Sequence, residues 1–139
     1  RGTLLDVGSG AGIPGLILSI FIDNPITLCE RIAKKGSFLN DTIRKLNLED
    51  KCCVLTQDVT SINKAFDIIT GRAVTNISNF LSLTSQQRHA DTLYILQKGK
   101  GSEDELNASF KTWEFECTSY KSAVNSDSKV LVLSNVKER

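Results

Sequence analysis

The sequence predicts an α/β fold: a mostly parallel, seven-stranded sheet that ends in an antiparallel hairpin. Three observations predict it. Short apolar runs alternate with segments of helical periodicity along most of the chain. A glycine-rich turn follows the first run directly. The last quarter changes to period-two alternation with a turn inside it, the pattern of a hairpin.

Residues 3–7 are short, apolar and bounded by glycines, which suits a strand buried on both faces. The turn 9–15 follows. Residues 13–22 read as an apolar helix with Pro14 near its first turn, where a missing N–H costs least. Pro25 then leads into a second strand, 26–29. Residues 34–46 place Phe38, Leu39, Ile43 and Leu46 on one helical face. Strands are predicted at 52–56 and 66–70, a helix at 77–87 and a fifth strand at 93–97. Ser102, with Glu105 three residues on, is the predicted N-cap of a helix running to residue 111. Residues 113–120 alternate Trp113, Phe115 and Cys117 against Glu114, Glu116 and Thr118, as a strand with one wet face does. Turn chemistry at 125–128 precedes a last strand at 130–136. No repeat, linker or low-complexity segment interrupts residues 1–139, so one domain is expected.

Composition narrows the function classes. Apolar and charged residues make up 40% and 24% of the 139 residues, as in an ordinary globular protein. A net charge of +1 excludes a uniformly basic nucleic-acid binder but not a local patch. Arg31, Lys34, Lys35, Arg44 and Lys45 form one such patch against Asp41 alone; Arg88, His89, Lys98 and Lys100 form another. Cys29, Cys52, Cys53 and Cys117 make no Cys-x-x-Cys pair, and His89 is the single histidine, so no metal is expected. The cysteines read as reduced and mostly buried in a cytoplasmic protein. No apolar run nears the roughly 20 residues of a membrane span, and no membrane partner is expected. The chain begins at Arg1 with its first strand almost at once, which suggests further chain upstream.

The chemistry centres on Leu5-Asp6-Val7-Gly8-Ser9-Gly10-Ala11-Gly12-Ile13-Pro14-Gly15. Glycines let the backbone bend after the strand and come close to a ligand. Gly10, Gly12 and Gly15 satisfy the dinucleotide-binding spacing, which keeps an NAD-dependent oxidoreductase open. Asp6 favours another ligand: at the strand's carboxyl edge it repels a pyrophosphate and attracts an ammonium. The spacing Asp-x-Gly-x-Gly-x-Gly from Asp6 is similar to the motif of S-adenosylmethionine-dependent methyltransferases. Glu30, ending the second strand, is placed to accept hydrogen bonds from both ribose hydroxyls of either cofactor. Asp58, Val59 and Thr60 follow the third strand, where this fold meets an adenine. After the fourth strand stands Thr70-Gly71-Arg72-Ala73-Val74, without the proline-aromatic motif of exocyclic-amine methylation or the cysteine of pyrimidine carbon methylation. An acceptor that is already nucleophilic, such as guanine N7, needs only in-line positioning. Arg72 is the candidate positioning residue, its planar fork suited to a phosphate or base edge.

These residues resemble the glucose-inhibited division protein B family, bacterial enzymes that methylate guanine N7 in small-subunit ribosomal RNA. The resemblance rests on the turn with its Pro14-Gly15 ending, on Glu30 followed by Lys34-Lys35 and Phe38-Leu39, on Arg72-Ala73-Val74, and on Leu96-Gln97-Lys98-Gly99 with Glu103-Asp104-Glu105-Leu106 after it. It implies a Rossmann-like class I methyltransferase using S-adenosylmethionine on 16S ribosomal RNA or the small subunit. Cofactor contacts then fall on Gly8, Ile13, Val59-Thr60 and Arg72, and Lys98 becomes an RNA or site contact; Lys34 and Lys35 of the basic patch are read as RNA contacts. The chain departs from the family at Ser128-Lys129, where Arg-His is usual, and at Asp58-Val59-Thr60, where Arg-Ala-Glu is usual. The family's helical segment before the first motif is not in this sequence. A non-catalytic module binding RNA or protein on the same fold is the other reading; the intact glycines and Glu30 argue against it.

Overall fold

The computed structural model describes residues 2–8, 15–71, 76–99, 101–121 and 128–139. Within them the chain runs β1 (Leu4–Val7), α1 (Gly15–Phe21), β2 (Ile26–Cys29), α2 (Ala33–Lys45), β3 (Cys52–Leu55), a 3-10 turn at Val59–Ser61, β4 (Phe66–Gly71), α3 (Ile77–Leu83), β5 (Arg88–Lys98), α4 (Ser102–Ser109), β6 (Trp113–Lys121) and β7 (Lys129–Glu138).

One seven-stranded sheet has the order β3-β2-β1-β4-β5-β7-β6. The first five strands are parallel; β7 inserts antiparallel between β5 and β6. The predicted mostly parallel sheet with a C-terminal antiparallel hairpin is therefore the observed one. β1 lies at the centre, with Asp6 opposite Leu28 of β2 on one side and Thr70 of β4 on the other. The order reverses there, between β1 and β4, the switch point at which sheets of this kind place a ligand crevice at the carboxyl ends of their strands.

Alternation along β1 separates two cores. Leu5 joins Ile69, Tyr94, Leu96, Leu131 and Leu133 beneath α3, whereas Leu4 joins Ile26, Leu28, Leu39 and Ile43 on the other face. In α2 the buried residues are Gly36, Leu39 and Ile43. Phe38 and Leu46, predicted to share that face, are exposed (53% and 46%) because Gly36 rather than Phe38 lies against the sheet.

Several boundaries differ from expectation by a residue or more, and three of them matter here. α3 ends at Leu83 instead of continuing to residue 87, because the Thr84 hydroxyl donates to the Phe80 carbonyl (2.8 Å) and bonds the Tyr94 hydroxyl (2.7 Å). The Gln87 carbonyl, turned toward the sheet, then accepts from Phe66 N–H at 2.9 Å. β5 accordingly starts at Arg88, five residues before the predicted strand, with an irregular register against β4. Residues 88–92, polar except for Ala90, hide this lead-in from any period-two reading. Ser102 is the first residue of α4 and not its cap; Gly101, at φ 85°, holds the N-cap position.

At the amino edge of the sheet Asp67 accepts from Thr3 N–H (2.8 Å) and lies 2.7 Å from His89 Nε2. Asp91 N–H donates to His89 Nδ1 at 3.1 Å, so the network assigns the ring proton to Nε2. The Thr3 amide first, then the His89 ring, hold the Asp67 carboxyl below its ordinary value of 3.8. A depressed carboxylate stabilises above its unfolded pKa and loses that contribution as pH falls through the folded one. Urea midpoints taken from pH 7 down to pH 2.5 should therefore fall further for the wild type than for Asp67→Asn. Parallel profiles would mean that the contact carries no linkage.

Candidate functional site

The crevice at the carboxyl edge gathers the ends of β1, β2 and β3 in adjacent positions. β1 is followed by Gly8, whose φ of 71° belongs to the left-handed region and whose N–H donates to the Cys29 carbonyl at 2.9 Å. Gly8 thus departs from strand geometry while still fastened to β2. Gly10, Gly12 and Ile13, read from the sequence as cofactor contacts, lie outside the described residues, as does Arg72.

Asp6 is where the structure corrects expectation. Its carboxylate does not face the cleft as an open charge; the residue is 1% exposed. One oxygen accepts from Gly15 N–H at 3.2 Å, and the other from the Thr70 hydroxyl at 2.6 Å. It therefore joins the first residue of α1 to the neighbouring strand β4. Gly15 packs so closely that a Cβ there would lie 2.5 Å from Asp6 Oδ2 and 2.5 Å from Leu28 Cδ2. Thr70 was not singled out from the sequence; its signal is register, since a hydroxyl stands directly across from a carboxylate.

Glu30 leaves β2 beside this turn. It is 6% exposed, and its Oε2 accepts from Ile32 N–H at 3.0 Å. The main chain continues the ladder, with Glu30 N–H donating to the Leu55 carbonyl at 3.1 Å. One strand further, Asp58 caps the 3-10 turn, accepting from Thr60 N–H (3.0 Å) and its hydroxyl (2.9 Å). These two bonds, with a smaller effect of Arg31, hold its carboxyl below the usual range. Val59 is buried under the loop, and Thr60 is exposed. Gly8, Glu30 and Asp58-Val59-Thr60 thus follow the ends of three neighbouring strands at one edge.

Cys29 lies inside this edge, its thiol 3.3 Å from the Gln57 carbonyl. Burial first, then Asp58, Glu30 and Asp6, push the thiol up to about 11, which keeps it protonated and a poor nucleophile. Cys52 is likewise pushed up to about 11 by burial. All four cysteines are free; Cys53 is exposed and Cys117 partly so, which makes the set less buried than expected.

Lys34 and Lys35 are exposed in the first turn of α2, next to exposed Arg31 and Ile32, and neither forms an ion pair among the described residues. Cations at a helix N-terminus oppose its dipole, and this turn carries no acidic residue to offset them. The patch therefore concentrates positive charge at the carboxyl edge of the sheet, beside Glu30. Lys98, expected as an RNA contact, is corrected: its side chain is 5% exposed and pairs with Glu105 at 2.9 Å. Burial in that ion pair withholds it from a polyanion. Among the described residues no group of three His, Cys, Asp or Glu is placed to hold a metal, and no helix is long and apolar enough to cross a membrane.

Known proteins agree with this architecture. A ribosomal protein L11 methylase from Lactobacillus delbrueckii subsp. bulgaricus superposes with a TM-score of 0.74 at 13% identity, over 97% of this chain and 70% of that one. Such distant likeness speaks for the class I methyltransferase fold alone. In sequence, the ribosomal RNA small subunit methyltransferase G of Bartonella bacilliformis is 31% identical over 138 residues, which cover 95% of this chain and 64% of the relative. The protein of the same name from Zymomonas mobilis is 31% identical over 133 residues, covering 95% of this chain and 59% of the relative. The chain thus spans about three fifths of the length of these relatives. A family model described as rRNA small subunit methyltransferase G matches residues 1–132. With that match over nearly its whole length, the chain belongs to the rRNA small subunit methyltransferase G family.

Proposed function

We propose that the protein transfers a methyl group from S-adenosylmethionine to N7 of a guanine in 16S ribosomal RNA. The observation that carries the reading is the single edge on which the Gly8 turn, Glu30 and the Asp58–Thr60 cap follow the ends of β1, β2 and β3. Family membership supplies the reaction class. The left-handed turn at Gly8 leaves backbone without a side chain at the end of β1, a fit for the methionine part of the ligand. Glu30 would take the ribose hydroxyls, and the Asp58-Val59-Thr60 backbone the adenine edge. The bound cofactor supplies an activated methyl group on a sulfonium.

This chain's own residues then have little proton chemistry to do. Guanine N7 carries no proton, so no general base is required, and the protonated Cys29 thiol is in keeping with that. What remains is in-line positioning and exclusion of water. Arg72 is assigned the positioning of a phosphate or base edge, and exposed Lys34 and Lys35 the RNA backbone beside the crevice. As a bacterial ribosome-modifying enzyme it would act in the cytoplasm on ribosomal RNA or the small subunit.

Thermal unfolding with S-adenosylhomocysteine and, separately, with NADH tests the cofactor. At ligand near 100 times its dissociation constant, binding adds about 2.7 kcal/mol. For a domain of this size that is a midpoint rise of roughly 8–10 °C. The rise is expected with S-adenosylhomocysteine alone; a rise confined to NADH would replace methyl transfer with hydride transfer.

A further inference from the structure

The strand register brings together three lysines that lie far apart in sequence. Lys98 at the end of β5 is directly opposite Lys129 at the start of β7, and Lys129 is directly opposite Lys121 at the end of β6. Directly paired residues project from the same face of a sheet, so the three form one transverse row. They share that face with Leu96 and Leu131, which stand two residues away and face α3 and α4. Leu96 is the partner of Gly71, the last residue of β4, so Lys98 lies just past the carboxyl edge of the crevice. Strands are about 4.8 Å apart, so the row leads roughly 10 Å from the crevice to the outer edge of the sheet.

Like charges placed directly opposite each other destabilise a sheet, and here three occur in succession. The first turn of α4 offsets two of them in a graded way. Lys98 is 5% exposed and pairs at 2.9 Å with Glu105, itself 25% exposed. Lys129 is 21% exposed and pairs at 3.4 Å with Glu103, which is 82% exposed. Lys121 is exposed and has no ion pair among the described residues. From the crevice outward the row is therefore locked, exchangeable and open. A pair whose acid is almost wholly in water is worth little and is readily given up to a stronger anion.

We propose that Lys121 and Lys129 form a rail for the phosphates of the RNA substrate, and that Glu103 is the counter-ion those phosphates displace. Lys98–Glu105 stays in place and anchors α4 to β5 while the exchange occurs. The proposal rests on RNA being the substrate. RNA is favoured over other polyanions because the row starts at the crevice where the acceptor base must enter, so backbone on one side of that base would run along it.

The test is binding of a small-subunit ribosomal RNA fragment by fluorescence anisotropy across a salt series, with Lys121→Gln/Lys129→Gln, Glu103→Gln and the control Lys111→Gln. Lys111 lies beyond the far end of β6, near its start at Trp113. Each phosphate contact contributes about 0.7–0.9 to the slope of log K against log salt. The double variant should bind on the order of tenfold more weakly near 0.1 M salt, with its slope reduced by about 1.4–1.8. Glu103→Gln should bind a few-fold more tightly, a gain that loss of a merely structural ion pair does not produce, and Lys111→Gln should match the wild type. In all of them kcat at saturating RNA should hold, with the change confined to KM. If the wild type binds RNA and the folded double variant keeps both affinity and slope, the rail is wrong and the enzyme reading stands. The rail is equally wrong if the double variant loses only binding to an acidic protein or to anionic vesicles. A wild type that binds no RNA at low salt would remove reading and rail together.

Discussion

Replacing Gly15 by alanine is expected to lower stability by about 2–4 kcal/mol, from overpacking and a strained buried hydrogen bond. The added Cβ would lie 2.5 Å from Asp6 Oδ2, 2.5 Å from Leu28 Cδ2 and 2.8 Å from Asp6 Cβ. Small relief is available. Leu28 is fully buried between β1 and β3, and Asp6 cannot swing aside without releasing Thr70. The outcome is that α1 moves off the sheet and draws the glycine turn with it. A midpoint fall of roughly 10 °C is expected, and the S-adenosylhomocysteine shift should be lost at temperatures where the variant is still folded. Valine should be worse than alanine. A Gly15→Ala protein with wild-type midpoint and ligand response would show that this contact is slack.

Most of the architecture was legible because the signals were local. The apolar runs that became β1 to β4 are short and bounded by turn residues, and the alternation of residues 113–117 reappears as the burial of Trp113 and Phe115 against exposed Glu114 and Glu116. What was illegible depended on partners distant in sequence. Residues 88–92 carry no period, and they become strand only because Thr92 donates to the Phe66 carbonyl at 2.6 Å and Phe66 N–H bonds Gln87. Phe38 looked like core on helical spacing, but a close approach between Gly36 and Thr56 turned α2 enough to leave it in water.

The site divides along the same line. Glu30 and Asp58 could be placed by counting from strand ends, since a residue that ends a parallel strand must stand at the carboxyl edge. The tasks of Asp6 and Lys98 could not be read that way. Both depend on a partner in another element, Thr70 of β4 for the first and Glu105 of α4 for the second, which turns a charge expected at a ligand into one committed inside the protein. The lysine row was invisible for the same reason: β7 enters the sheet between β5 and β6, and only that insertion brings residues 98, 129 and 121 side by side.

Two substitutions at Asp6 separate its geometry from its charge. Asp6→Ala strands the Gly15 N–H and the Thr70 hydroxyl in a site 1% exposed and leaves a small cavity, which together should cost about 3–5 kcal/mol. Ligand binding should fall with it, because the turn loses its tie to β4. Asp6→Asn keeps the shape. Its amide oxygen can accept from Gly15 N–H, and its amide nitrogen can donate to Thr70, whose hydroxyl rotates to become the acceptor. Asn should therefore retain most of the stability that Ala loses. If Asp6 works by holding the turn, Asn should also retain S-adenosylhomocysteine affinity to within a few-fold. If its negative charge attracts the ammonium through the field of the site, Asn should fold well yet bind at least tenfold more weakly, about 1.4 kcal/mol. Calorimetric titration of the two variants beside the wild type distinguishes these. The buried carboxylate, bonded to Gly15 and Thr70, favours the first result, in which one residue organises the loop and leaves contact with the ligand to the backbone that it positions.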